Sequence, residues 1–155
     1  MRYMTILFLL FSGCALKEPQ FRYFSLQECT IAPWSDRGVY EVELPSYFID
    51  DRLVYKKGDK LGYLQEKLAR DPQRFLSECA VRELGACLYP WECDKRPKEL
   101  LHIKIEEFFY DVPRNRVVLV ALVNHRRYDI EEPVKKDVID AAVRAYKKLL
   151  AQIGK

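Results

Sequence analysis

Residues 101–123 read LHIKIEEFFYDVPRNRVVLVALV, and this stretch decides the fold. Leu101, Ile103 and Ile105 alternate with His102, Lys104 and Glu106, the period of a strand with one buried face. Pro113-Arg114-Asn115 turns the chain, and the unbroken apolar run 117–123 suits a central strand covered on both faces. Two such runs joined by a short turn predict an antiparallel hairpin at the centre of a sheet.

Upstream, residues 21–26 alternate aromatic with polar side chains and predict a first strand. Residues 39–44 alternate Val39, Glu41, Glu43 with Tyr40, Val42, Leu44 and predict a second, ended by Pro45. Leu53-Val54-Tyr55 and Leu61-Gly62-Tyr63-Leu64 flank a polar turn in which Gly58-Asp59 supplies hairpin chemistry. Asp71 followed by Pro72 has the N-cap and first-turn residues of a helix, with Leu76, Ala80, Leu84, Cys87 and Leu88 as its apolar stripe and Pro90 as its stop. Residues 94–99 are polar and predict a loop. At the far end Glu131, Glu132 and Pro133 are expected to open a second helix, its buried stripe Val134, Val138, Ala142, Ala145 and Leu149, with Arg144, Lys147 and Lys148 facing water. The fold class is therefore α+β: a mixed, mostly antiparallel sheet with two helices packed on one face.

The amino terminus reads differently. Arg2, the apolar run 6–11 and the small pair Ser12-Gly13 have the parts of a secretory leader, too short for a membrane span of roughly 20 residues. Cys14 closes the run Leu10-Phe11-Ser12-Gly13-Cys14, which resembles the bacterial lipobox with Phe11 where Leu is usual. The resemblance implies an N-acyl diacylglycerol on Cys14 as the sole covalent group, with palmitate-like chains; more than one chain is needed for stable anchoring. Ala15 follows Cys14, and the sorting rule of enteric lipoproteins then implies the outer membrane, facing the periplasm. The organisation expected is a signal peptide at 1–13, a lipidated tether at 14–20 and one α+β domain at 21–155.

Five cysteines become four once Cys14 is lipidated, an even number suited to an oxidising compartment. If Cys79 and Cys87 share one helix, a rise of about 1.5 Å per residue puts them ~12 Å apart, beyond the ~7 Å that a disulfide spans. The short segment between Cys87 and Cys93 favours that pair, leaving Cys29 with Cys79; four partly buried thiols are the alternative. His102 and His125 lie far from the cysteines and no CxxC occurs, so no metal site is expected.

A net charge of +3 among 32% charged residues gives a surface of mixed sign without the stripe that nucleic acid requires. No GxSxG, GxxxxGK[ST] or HExxH is present, and the adjacent acids Asp50-Asp51, Glu106-Glu107 and Glu131-Glu132 would face opposite ways on strands. Neither catalysis nor a dissociable cofactor is expected. Aromatic residues form 13% of the chain, and Tyr47, Phe48 and Tyr55 stand beside charges in a way that favours partner binding.

The succession of lipobox, Tyr23-Phe24-Ser25-Leu26, Val42-Glu43-Leu44-Pro45-Ser46-Tyr47 and Asp51-Arg52-Leu53-Val54-Tyr55-Lys56 resembles the ABC-type transport auxiliary lipoproteins, the PqiC-like family. The resemblance spans nearly the whole chain. One departure is Leu68-Ala69-Arg70-Asp71-Pro72, where that family often has Trp-Ala-Glu-Pro-Leu. The resemblance implies a lipid-anchored, non-catalytic subunit that docks an MCE-domain protein and its ABC permease in lipid transport between membranes, with homo-oligomerisation left open. The second reading is an outer-membrane lipoprotein that activates or scaffolds a cell-wall synthase or an envelope assembly complex.

Overall fold

The hairpin is present over residues 103–123 and grows into a three-stranded meander, while Leu101 belongs to a separate short strand. The structure, a computed structural model, describes residues 23–155; the leader, Cys14 and the tether lie outside the described residues. In chain order its strands and helices are β1 (Arg37–Val39), β2 (Arg52–Lys57), β3 (Lys60–Lys67), α1 (Pro72–Leu84), β4 (Cys87–Leu88), β5 (Glu99–Leu101), β6 (Ile103–Asp111), β7 (Arg116–Val123), β8 (Arg126–Pro133) and α2 (Val138–Ile153). The five-stranded sheet has the order β3-β2-β6-β7-β8, antiparallel except where β2 runs parallel to β6. A smaller parallel sheet, β4-β1-β5, continues along β6, because Glu43 bridges Lys104 beyond the end of β1. The fold is α+β.

Between β2 and β3 the chain reverses on Gly58-Asp59, with Gly58 at a φ of 60°. Asp71 caps α1 by accepting the N–H of Arg74 at 3.1 Å, and Pro72 occupies the first turn. The helix stops earlier than the apolar pattern predicts. Gly85 takes a left-handed φ of 59°, and a Cβ there would lie 1.8 Å from the Pro33 carbonyl oxygen, so only glycine fits. Cys87 and Leu88 consequently belong to β4, not to the helix.

Two more expectations are corrected. Residues 23–26 form no strand: Ser25 accepts the N–H of Gln27, a 3-10 turn follows at Leu26–Glu28, and the segment lies along α1, with Phe24 against Phe75 at 4.4 Å. Residues 131–133 are strand, not helix. Asn124 and His125 both take positive φ, 47° and 70°, and make the two-residue turn that folds β8 onto β7. Helix α2 then starts on Asp137, whose carboxylate accepts the N–H groups of Ile139 and Asp140.

Helix α2 covers β7 and β8, and α1 packs beside it and against β1. Their shared core contains Leu53, Leu76, Ile105, Phe108, Leu119, Tyr146 and Leu149, all 1% exposed or less. Strand β7 is an interior strand between β6 and β8, one place from the centre of the sheet, and its second face is only partly covered, since Val118 and Leu122 are half-buried. Polar ties hold the layers together. The Tyr146 hydroxyl donates to the Leu76 carbonyl at 2.7 Å, and the buried Ser77 hydroxyl accepts the Val42 N–H at 2.8 Å while donating to Gln73 at 2.7 Å. Burial pushes the Tyr146 phenol well above its ordinary range.

Glu132 points inward at 5% exposure and is held by Arg144 and Lys148 of α2, so these cations secure the helix to β8. Its neighbour Glu131 points outward to Arg114 and Arg116. The adjacent acids do face opposite sides, as strand geometry requires.

Candidate functional site: an aromatic row at the strand ends

Strand register builds the most conspicuous surface feature. Val39 pairs with Leu88 on one side and Leu101 on the other, all in parallel. The next residues, Tyr89, Tyr40 and His102, therefore emerge side by side at the carboxyl ends of three strands. The Tyr40 ring stacks on His102 at 4.1 Å. Trp91 folds back over the row, 5.1 Å from Tyr89 and nearly parallel to it, and 6.1 Å from Tyr40. It is 70% exposed.

The loop that presents these rings is braced. Cys87 and Cys93 form a disulfide with a Cα separation of 5.8 Å, closing the segment that carries Tyr89, Pro90 and Trp91. Tyr89 takes a φ of 56°, rare for a bulky side chain, and is held by its N–H on the Val39 carbonyl and its carbonyl on the Glu92 N–H, each at 2.9 Å. Partial loss of solvent, then the carboxylates Glu41 and Glu92, hold its phenol above its ordinary value.

The second disulfide, Cys29–Cys79, ties the segment before β1 to α1 with a Cα separation of 5.5 Å. Both pairings are the ones expected from spacing. The helix premise behind them is corrected by the break at Gly85.

Tyr47, Phe48 and Tyr55 sit elsewhere. Tyr47 and Phe48 lie 5.9 Å apart at the side of β6, where Phe48 stacks on Phe108 at 6.0 Å and the Tyr47 hydroxyl accepts the Phe108 N–H at 2.7 Å. Tyr55 lies across Gly62, where a Cβ would come within 2.4 Å of its ring. All three are half-buried, and the core absorbs the loop of residues 44–55 more fully than its polar turn suggests. The aromatic row was not legible in the sequence because strands β4 and β5 are too short for periodicity. The spacing Cys87-Leu88-Tyr89-Pro90-Trp91-Glu92-Cys93, aromatic residues inside a small closed loop, was the available signal.

His102 also borders a cleft of about 590 Å³ with Glu43, Lys104 and Leu122. A second cleft, about 500 Å³, lies between residues 23–26 and the start of α1, lined by Phe24, Leu26, Arg74 and Phe75. Among the described residues no group of three or more His, Cys, Asp or Glu is placed to hold a metal ion. No described helix is long and apolar enough to cross a membrane.

No protein-family model matches the chain, and no curated protein matches it significantly. Solved structures do resemble it. A crystal structure of an uncharacterized protein superposes with a TM-score of 0.58 at 19% identity, covering 85% of this chain and 92% of that one. A Xanthomonas campestris protein of the DUF330 family superposes with a TM-score of 0.52 at 14% identity, covering 81% of each chain. At these identities the likeness establishes a shared fold.

Proposed function

We propose that this chain is the lipid-anchored accessory subunit of an ABC/MCE-type system moving lipids between membranes, docking a periplasmic partner through its α+β domain. The ordered run of motifs carries this reading: a lipobox-like Leu10–Cys14 stretch, then Val42 through Lys56, on a domain of this strand order. The anchor at Cys14 confines the domain to a membrane surface, and the domain contributes binding energy to the assembly. Supporting it is the exposed Trp91, since aromatic residues are enriched at the centres of protein interfaces. Two disulfides suit the oxidising periplasm.

The test has two parts. Mass spectrometry of the mature protein is expected to find an acylated Cys14 as first residue, and purification from membranes to recover an MCE-domain protein with its permease. Recovery of a peptidoglycan synthase in their place would favour the envelope-scaffold reading.

A further inference from the structure

We propose that the surface formed by Tyr40, Tyr89 and Trp91, with Glu41 and Glu92 at its border, receives an arginine side chain of a protein partner. The inference rests on the docking reading and names the chemistry of the contact. The indole of Trp91 is 70% exposed, and indole is the best of the aromatic faces for a cation, which in proteins is most often a guanidinium. Glu92 adjoins it in the chain, and the Glu41 carboxylate lies near enough to act on the phenol of Tyr89, the ring stacked on Trp91. Neither carboxylate forms an ion pair with another described residue. Flat rings beside acceptors match the guanidinium, which can stack through its face while its edge donates in a fork to a carboxylate. A lysine ammonium is a compact point charge and gains only part of this.

The surface is also prepared in advance. The Cys87–Cys93 bridge and the two backbone bonds of Tyr89 fix the rings before any partner arrives, which lowers the ordering cost of association. The left-handed backbone at Tyr89 is a strained choice kept on an exposed loop.

The chain has two tryptophans, Trp34 and Trp91. The full chain carrying Trp34→Phe leaves Trp91 as sole indole reporter. Titration with tri-arginine amide at fixed ionic strength is expected to give a saturable change in its emission, with affinity about fivefold above tri-lysine and far above uncharged tri-citrulline. Adding Glu41→Gln and Glu92→Gln should weaken tri-arginine about tenfold, the equivalent of ~1.4 kcal/mol, with the near-ultraviolet circular dichroism unchanged. No saturable change, equal affinity for arginine and lysine, or indifference to the double substitution would overturn the proposal. Recovery of the MCE partner alongside such a negative titration would leave the docking reading standing and place the contact elsewhere.

Discussion

The Tyr47 hydroxyl accepts the backbone N–H of Phe108 at 2.7 Å, at the point where β6 changes neighbours. Before this point β6 follows Glu43; after it, β2 takes over at Val54, paired with Phe109. A register shift between Ile105 and Glu107 marks the same place. The phenol fills a gap in the ladder that would otherwise orphan a buried donor. Tyr47→Phe should therefore destabilise the domain by about 1–3 kcal/mol, read from urea denaturation midpoints at an unchanged slope. A cost below the error of the fit would show that water serves the amide equally well.

The two disulfides should contribute unequally. Cys29–Cys79 closes a separation of 50 residues, for which the loop-entropy model gives about 4 kcal/mol, whereas Cys87–Cys93 closes only 6, for about 2 kcal/mol. Paired Ala substitutions followed by thermal denaturation test the order. The second pair should also release the aromatic loop, visible as a loss of near-ultraviolet signal from Trp91.

Acid should weaken the outer face of β7 and β8. The guanidinium of Arg116, then that of Arg114, holds Glu131 below its ordinary pKa of 4.5. The folded state binds fewer protons there than the unfolded chain, so the stabilisation is complete above about 4.5 and is lost as pH falls through the lower folded value. Glu131→Gln should flatten the stability profile in that acid window. Because the group is 39% exposed, the difference at neutral pH should be small and should shrink further in high salt.

At the β7–β8 turn, His125 occupies a position with φ of 70° that favours glycine. His125→Gly should stabilise the domain by several tenths of a kcal/mol, since Asn-Gly is the preferred pair for this turn. A lower melting temperature would show that the His125 ring contributes contacts of its own.

The same turn explains what the sequence concealed. Tyr128 and Ile130 alternate with Arg127, Asp129 and Glu131, a strand pattern, but the next inward residue is Glu132, whose charge is met by Arg144 and Lys148 of a later helix. With Pro133 following, a helix start was the local reading. Long, strongly patterned pieces were legible: β6 and β7, the Gly58-Asp59 hairpin, and the Asp71-Pro72 helix start. The small parallel sheet was not, because β4 and β5 are defined by pairing with β1 and not by their own composition. The aromatic row depends on that pairing and was hidden with it. The disulfides followed from spacing, although Gly85 ends the helix before Cys87.

Recovery of binding partners tests the central claim most directly: the full chain, cross-linked in intact cells that encode it and purified from membranes, with co-purifying proteins identified by mass spectrometry. An MCE-domain protein together with an ABC permease, depleted when Trp91 is replaced by Ala, is the expected result. A peptidoglycan synthase in their place, or the same yield of MCE protein from Trp91→Ala, would contradict the account, the first in its function and the second in its docking surface.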